Sequence, residues 1–177
     1  MFLEYLTELE RFDETVARLR RGTALYAPRF YAPYVLAGVI ERSDATGWLV
    51  VAEDGEAAAK LAGELAAYLD REVATLPARG VMYGADVAPA AHVVGERQRA
   101  LTMLKTAADQ GGVGGATGGS PPVVVADAVA LLERFLPLAQ QPHPLPLASG
   151  EEAPFDEVVR SLAGLGYERV EQVRGRG

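Results

Sequence analysis

Cysteine is absent from the 177 residues. Without thiols neither a disulfide framework nor a thiolate metal site can form, so the fold rests on packing alone, as suits a reducing compartment. Lysine is nearly missing as well: of the 17 basic residues only Lys60 and Lys105 are lysine. That removes most candidates for a catalytic or phosphate-reaching lysine, while the excess of arginine, alanine and glycine reflects genome composition more simply than function. Histidine is limited to His92 and His143. Neither stands in a cluster with zinc-ligand spacing, and both read as surface loop residues. Positive charge is in deficit, with a formal net charge of −7 and a pI near 4.9. A protein that grips phosphates normally presents a basic face, so autonomous DNA binding is not expected. No stretch approaches the roughly 20 apolar residues of a membrane span. Met1-Phe2-Leu3-Glu4-Tyr5 has no basic lead and no long apolar run, unlike a signal peptide. The expected location is cytoplasmic, with no membrane partner.

What is present belongs to a globular protein: 49% hydrophobic and 23% charged residues, in a length that suits one domain and part of another. Phe2, Leu6, Leu9, Phe12, Val16 and Leu19 recur at helical spacing, predicting one amphipathic helix that ends near Arg20-Arg21 with Gly22 as its stop. Thr23 to Ala27 is a short strand candidate. A helix follows from Pro33 through Ile40, a strand over Trp48–Ala52, a helix carrying Ala57, Leu61, Leu65 and Leu69, and a strand over Glu72–Leu76. Residues 77–92 read as loop. A helix over 93–108, with Val94, Leu101 and Leu104 on one face, leads to the glycine-rich stretch 111–119. Val123-Val124-Val125-Ala126 is unbroken apolar strand, suited to a central position buried on both faces, and Asp127 stands where a further helix wants its cap. Strand–helix–strand alternation of this kind implies parallel strands, an α/β fold. Pro137, Pro142, Pro144 and Pro146 then mark a boundary. Beyond it, Phe155, Val158, Val159 and Leu162 predict a short helix, and Tyr167 to Val173 alternates like a strand.

Candidate chemistry is sparse. The glycine run Gly111–Gly119 stands after a helix and before a strand, without lysine, the reverse of a phosphate loop; it reads as a linker. The turn Tyr26–Pro33, after the first strand candidate, lacks glycine and lysine, so no phosphate cradle is expected there. Asp127 resembles a magnesium-binding aspartate at a strand end, but helix capping is the simpler role, and Asp54 reads the same way. Glu96-Arg97 fits first-turn electrostatics with a local salt bridge. Ser149 lacks the setting of a nucleophile elbow. No catalytic residue is assigned. Tyr167 to Gly177 places three arginines in a short stretch of an otherwise acidic chain, and exposed arginines of this sort are common interface anchors.

Leu165-Gly166-Tyr167-Glu168-Arg169-Val170-Glu171-Gln172-Val173 resembles the Gly-Tyr-x-Arg-Val-x-Gln-Val segment of bacterial transcription-repair coupling factors. Leu49–Asp54, Leu76-Pro77, Val94-Gly95-Glu96-Arg97 and Val123–Asp127 resemble that family in order and spacing, so the likeness runs from about Thr23 onward. It implies a three-layer, parallel-sheet domain like the degenerate ATPase-type fold of UvrB over residues 1–136. A proline-rich linker would occupy 137–150, and the start of a small α+β domain that binds UvrA would occupy 151–177. In that family the whole protein displaces stalled RNA polymerase with an ATP-driven motor and recruits UvrA for nucleotide excision repair. The resemblance makes Tyr167, Arg169 and Arg176 the expected partner-binding residues, Arg169 matching the arginine of a Tyr-Glu-Arg segment. Arg176-Gly177 matches the first Arg-Gly of a motif whose remainder lies beyond Gly177. It implies no cofactor for this chain, since ATP and magnesium belong to the motor, and contact with RNA polymerase and DNA only through other domains. Two further readings stay open: a nucleotide-binding α/β enzyme domain with an unrecognised site, and a DNA-binding module of a UvrB-like repair protein.

Overall fold

The computed structural model describes residues 3–81, 89–109, 120–137, 140, 145, 147–165, 167 and 169–170, apart from the side chains of Thr7 and Asp109. The chain divides into two compact units, Met1–Arg134 and Phe135–Gly177.

Three strands form the sheet of the first unit: β1 (Trp48–Ala52), β2 (Ala74–Leu76) and β3 (Val123–Asp127). They lie in the order β1-β3-β2 and both pairings are parallel. Val123-Val124-Val125-Ala126 takes the middle because it can bury every residue, and it does so along its whole length. Register fixes the two faces. Trp48 pairs with Val123 and Val50 with Val125, so these four share a face. That face packs on Ala58, Ala62, Leu65 and Leu69 of α4 (Gly55–Leu69), with Ala37 and Ile40 of α3 (Ala32–Arg42) closing the core. Val124 and Ala126 point the other way, aligned with Ala74 and Leu76, and are also buried. Beside them α5 (Ala91–Asp109) packs against β2. The edge strand is covered on one face only: Leu49 and Val51 are each 51% exposed. The α/β, parallel-sheet expectation therefore holds.

The amino-terminal region departs from the single helix expected. It forms α1 (Glu4–Thr7) and α2 (Phe12–Leu19), with a break over Glu8–Arg11. On one continuous helix Leu6 and Phe12 would stand about 120° apart around the axis. The break lets both reach Gly38 of α3, where an added Cβ would collide with Leu6 and lie 3.0 Å from Phe12 Cζ. Leu6, Phe12, Val16 and Val39 form this satellite core, while Leu9 is left exposed. Gly22, at φ +83°, ends α2 as expected, its N–H bonding Leu19 O.

Thr23–Ala27 is not a strand. An apolar run becomes one only where a sheet edge takes up its backbone donors and acceptors. This run instead borders α2 and α3, with Tyr26 almost fully exposed. After β3 the expected helix is reduced to a 3-10 turn, Ala130–Leu132, because Glu133 turns back to bond Arg79 instead of continuing a spiral. The buried side of α5 is centred on Arg97 and Ala100, not on Val94, which is half exposed. His92 lies exposed in the first turn of α5 rather than in a loop, and His143 and the glycine run 111–119 fall outside the described residues.

In the second unit α6 (Phe155–Gly164) forms where the periodicity placed it, but none of its residues is buried. Tyr167, Arg169 and Val170 belong to no strand, and residues 171–173 of the expected strand lie outside the described residues.

The packing generates one prediction. Leu65, with no exposed surface, sits between α4 and the sheet. Leu65→Ala should cost about 3 kcal/mol in urea denaturation, whereas Leu49→Ser on the open face should change stability by less than about 0.5 kcal/mol.

Candidate functional site

Open parallel sheets bind ligands outside the carboxyl ends of their strands. With Thr23–Ala27 excluded as a strand, the turn to test for a phosphate cradle is no longer Tyr26–Pro33. It is Glu53-Asp54, between β1 and α4. Asp54 is extended (φ −150°, ψ 178°), and its Oδ1 accepts from Ala57 N at 2.8 Å. The chain thus places its own carboxylate at the positive end of the α4 dipole, where a phosphate would otherwise be drawn. The turn holds no lysine, and Lys60 is exposed farther along α4.

Asp127, at the end of β3, is 96% buried by its 4% exposure. Its Oδ2 accepts from Ala78 N at 2.7 Å and its Oδ1 from Ala130 N at 2.7 Å. Oδ2 also lies 3.8 Å from the point a Cβ on Gly55 would occupy. One carboxylate therefore ties the exit of β2, the end of β3 and the 3-10 turn beside the start of α4. The capping role read for Asp54 is observed, whereas the helix that Asp127 was expected to cap does not form: Asp127 ends β3, the 3-10 turn has Val129 at its N-cap, and the Asp127 carboxylate holds Ala130 N and, at long range, Ala78 N. Among the described residues no three His, Cys, Asp or Glu side chains group closely enough to hold a metal ion.

Glu96-Arg97 does not open its helix as expected: α5 begins at Ala91 with no acidic residue in its first turn, and both residues bond partners distant in sequence. Arg97 is buried, donates from Nη1 to Pro77 O at 2.5 Å and sits 2.8 Å from Glu133 Oε2. Glu96 Oε2 accepts from the Thr75 hydroxyl at 3.1 Å. Nearby, the exposed Arg99 is raised above its ordinary pKa by its hydrogen bond to Glu72 and then by that residue's charge. These residues join α5 to β2 and its exit, and only their partners, distant in sequence, reveal it.

Sequence reading also missed a cleft of about 530 Å³ between α2, α3 and β1. Val16, Leu19, Leu25, Leu36, Val39 and Trp48 line it, with Arg20 and Ser43 as polar members. Trp48 Nε1 is buried there without a hydrogen-bond acceptor. The lone tryptophan, next to a segment too apolar for an ordinary loop, was the available signal.

Of the three partner-binding residues expected, Tyr167 and Arg169 lie just past α6 and both are exposed. Tyr167 N donates to Leu162 O at 3.1 Å and Leu165 N to Ser161 O at 3.0 Å, so the chain folds back over the last turn of the helix. Arg176 lies outside the described residues. Ser149 is exposed in a turn.

Fold and strand ends together define an α/β parallel-sheet domain whose sheet-end carboxylates are bound to its own backbone. Its sequence is 36% identical over 129 residues, 73% of the chain, to the transcription-repair-coupling factors of Mycobacterium bovis and Mycobacterium tuberculosis. Over that stretch the chain is a relative of the transcription-repair-coupling factors. The aligned stretch is 10% of each of those relatives, so the chain spans about a tenth of the length of the curated proteins it matches. No protein-family model matches it.

If Asp127 is a structural acceptor, Asp127→Ala should lower stability by about 3 kcal/mol, because two amide donors lose their partner. Asp127→Asn, which keeps one carbonyl oxygen, should lose less. Asp54→Ala should cost about 1 kcal/mol as a lost helix cap. Urea midpoints measured without metal check all three, since a carboxylate reserved for magnesium would be neutral or stabilising to remove.

Proposed function

We propose that this chain is a non-catalytic interaction module of a transcription-repair coupling factor, one that helps recruit UvrA to stalled RNA polymerase in transcription-coupled nucleotide excision repair. The observation that carries the non-catalytic part is Asp54. Its carboxylate bonds the amide of Ala57 at the N-terminus of α4, the place a nucleotide phosphate would need. A second carboxylate, Asp127, spends both oxygens on Ala78 and Ala130. A phosphate approaching α4 would meet negative charge where a phosphate loop offers bare amides and a lysine. The scaffold is that of an ATP-handling fold, and surfaces are what it has left to work with. On this reading the chain holds no cofactor. ATP and magnesium act in a motor elsewhere in the full-length protein, and RNA polymerase and DNA are met through other domains.

Recruitment of UvrA is assigned to Tyr167 and Arg169, with Arg176 as a third contact. Two observations support it: both described residues are exposed immediately after α6, and an aromatic beside an arginine is a favoured composition for an interface anchor. The net charge of −7 favours a protein partner over nucleic acid.

Two experiments test the proposal. In the complete coupling factor, Arg169→Ala should weaken UvrA binding by roughly 2 kcal/mol in a calorimetric titration; unchanged affinity removes Arg169 from the site. ATP with magnesium should leave the melting temperature of this chain unchanged. A stabilisation that saturates with ATP would establish nucleotide binding instead, because a ligand of the folded state raises stability by mass action.

A further inference from the structure

The cleft between α2, α3 and the start of β1 lies where two cores meet. Trp48 packs against both, the sheet core built on α4 and the satellite core of Leu6, Phe12, Val16 and Val39. Its backbone is fixed by the sheet, since Trp48 N donates to Pro122 O at 2.8 Å. The cleft holds about 530 Å³, and its walls are mostly aliphatic, with Val16, Leu19, Leu25, Leu36 and Val39 around the indole. Volume and composition are those of a small-molecule pocket, apolar with a few placed polar groups.

Those polar groups decide what fits. Arg20 is already committed: it pairs with Asp44, and its Nη2 donates to Ser43 Oγ at 3.4 Å. Ser43 Oγ also accepts from Ala45 N at 3.1 Å. Trp48 Nε1 is the exception. It is shut away from solvent and has no acceptor among the described residues. A buried N–H without a partner carries an uncompensated desolvation cost, which an occupant supplying an acceptor removes. Water suits such a place poorly, because it needs roughly two to four polar partners and aliphatic side chains offer none. A charged ligand finds no free counter-charge there, with Arg20 held by Asp44.

We propose that this cleft is a binding site for an uncharged, largely apolar small molecule bearing one carbonyl-type acceptor. The acceptor takes the Trp48 Nε1–H, and the hydrocarbon part fills the space between α2 and α3. Leu25 and Ala27, from the segment that joins no strand, form part of the same wall. The site is built from residues of the first unit alone and does not depend on what Tyr167 and Arg169 bind.

Trp48 is the only tryptophan of the chain, so its indole N–H gives a single, self-assigned proton resonance. Benzylacetone is the probe, and butylbenzene, of nearly the same shape without the carbonyl, is its control. In the wild-type chain the ketone should move the indole proton downfield saturably and raise the melting temperature, as a ligand of the folded state does. Butylbenzene should bind about tenfold more weakly, the difference that one hydrogen bond to a buried donor makes. Trp48→Phe keeps an apolar wall, removes the donor and should erase that preference. Val35→Phe, on the wall of the cleft, should weaken both probes by filling the space. An indole resonance that ignores the ketone overturns the site, as does equal affinity of ketone and hydrocarbon for the wild type. A preference retained in Trp48→Phe refutes the part given to the indole. Should Trp48→Phe fail to fold, the wild-type comparison decides alone.

Discussion

Everything in the first unit is arranged around β3, a strand with no solvent on either face whose final carboxylate must find donors inside the protein. A parallel strand in the middle of a sheet needs covering on both sides, and its neighbours are fixed by register before any helix is placed. Asp127 then ends the strand in a buried position, where an unsatisfied carboxylate would be costly. Ala78 and Ala130 supply its donors. That requirement draws in the loop after β2 and shapes the 3-10 turn, which in turn sets Glu133 against Arg79 and Arg97. The carboxyl ends of the strands are therefore knitted together by hydrogen bonds from the protein to itself.

This self-satisfaction bears on function because it happens where α/β folds usually keep their ligand. A helix N-terminus attracts negative charge, and α4 already has Asp54 there. The short turn Glu53-Asp54 gives no loop of amides that could wrap a phosphate. The stretch aligned with the transcription-repair-coupling factors is about a tenth of those relatives' length. Among the described residues, the Asp54 and Asp127 carboxylates at these strand ends bond the chain's own amides. Surfaces on offer include the apolar cleft beside Trp48, the open face of β1 and the exposed stretch after α6.

Much of the architecture was legible along the chain, for identifiable reasons. Trp48–Ala52 is a strand to the residue, and the strand read over Val123–Ala126 extends one residue farther to Asp127, because short β-rich runs bounded by turn residues have few alternatives. The burial of Val123–Ala126 on both faces could be read from an apolar run without alternation. The helix at Gly55–Leu69 had both periodicity and the Asp54 cap. Elsewhere the same signals misled. Thr23–Ala27 has strand composition but no edge to join. The apolar spacing from Leu6 to Leu19 suits one helix, yet Gly38 on α3 invites Leu6 and Phe12 to the same spot and breaks it. The candidate site was legible in part: Asp54 was recognised as a helix cap, whereas Asp127, expected to cap a helix, spends its carboxylate on the amides of Ala78 and Ala130. The bonds from Asp127 to Ala78 and from Glu133 to Arg79 span 49 and 54 residues, beyond the reach of any local pattern.

By itself the sequence determined that the chain folds without crosslinks, that its strands run parallel, that β3 belongs at the centre, and that the glycine run has no phosphate-loop order. These follow from residue type and short-range periodicity, which act within a few positions of the chain. Only tertiary structure decided which apolar runs found an edge, where the first helix broke, and which arginines were drawn inside. Those outcomes depend on what lies opposite a side chain in space, and a buried Arg97 looks the same in sequence as an exposed one until Glu133 and Pro77 are beside it.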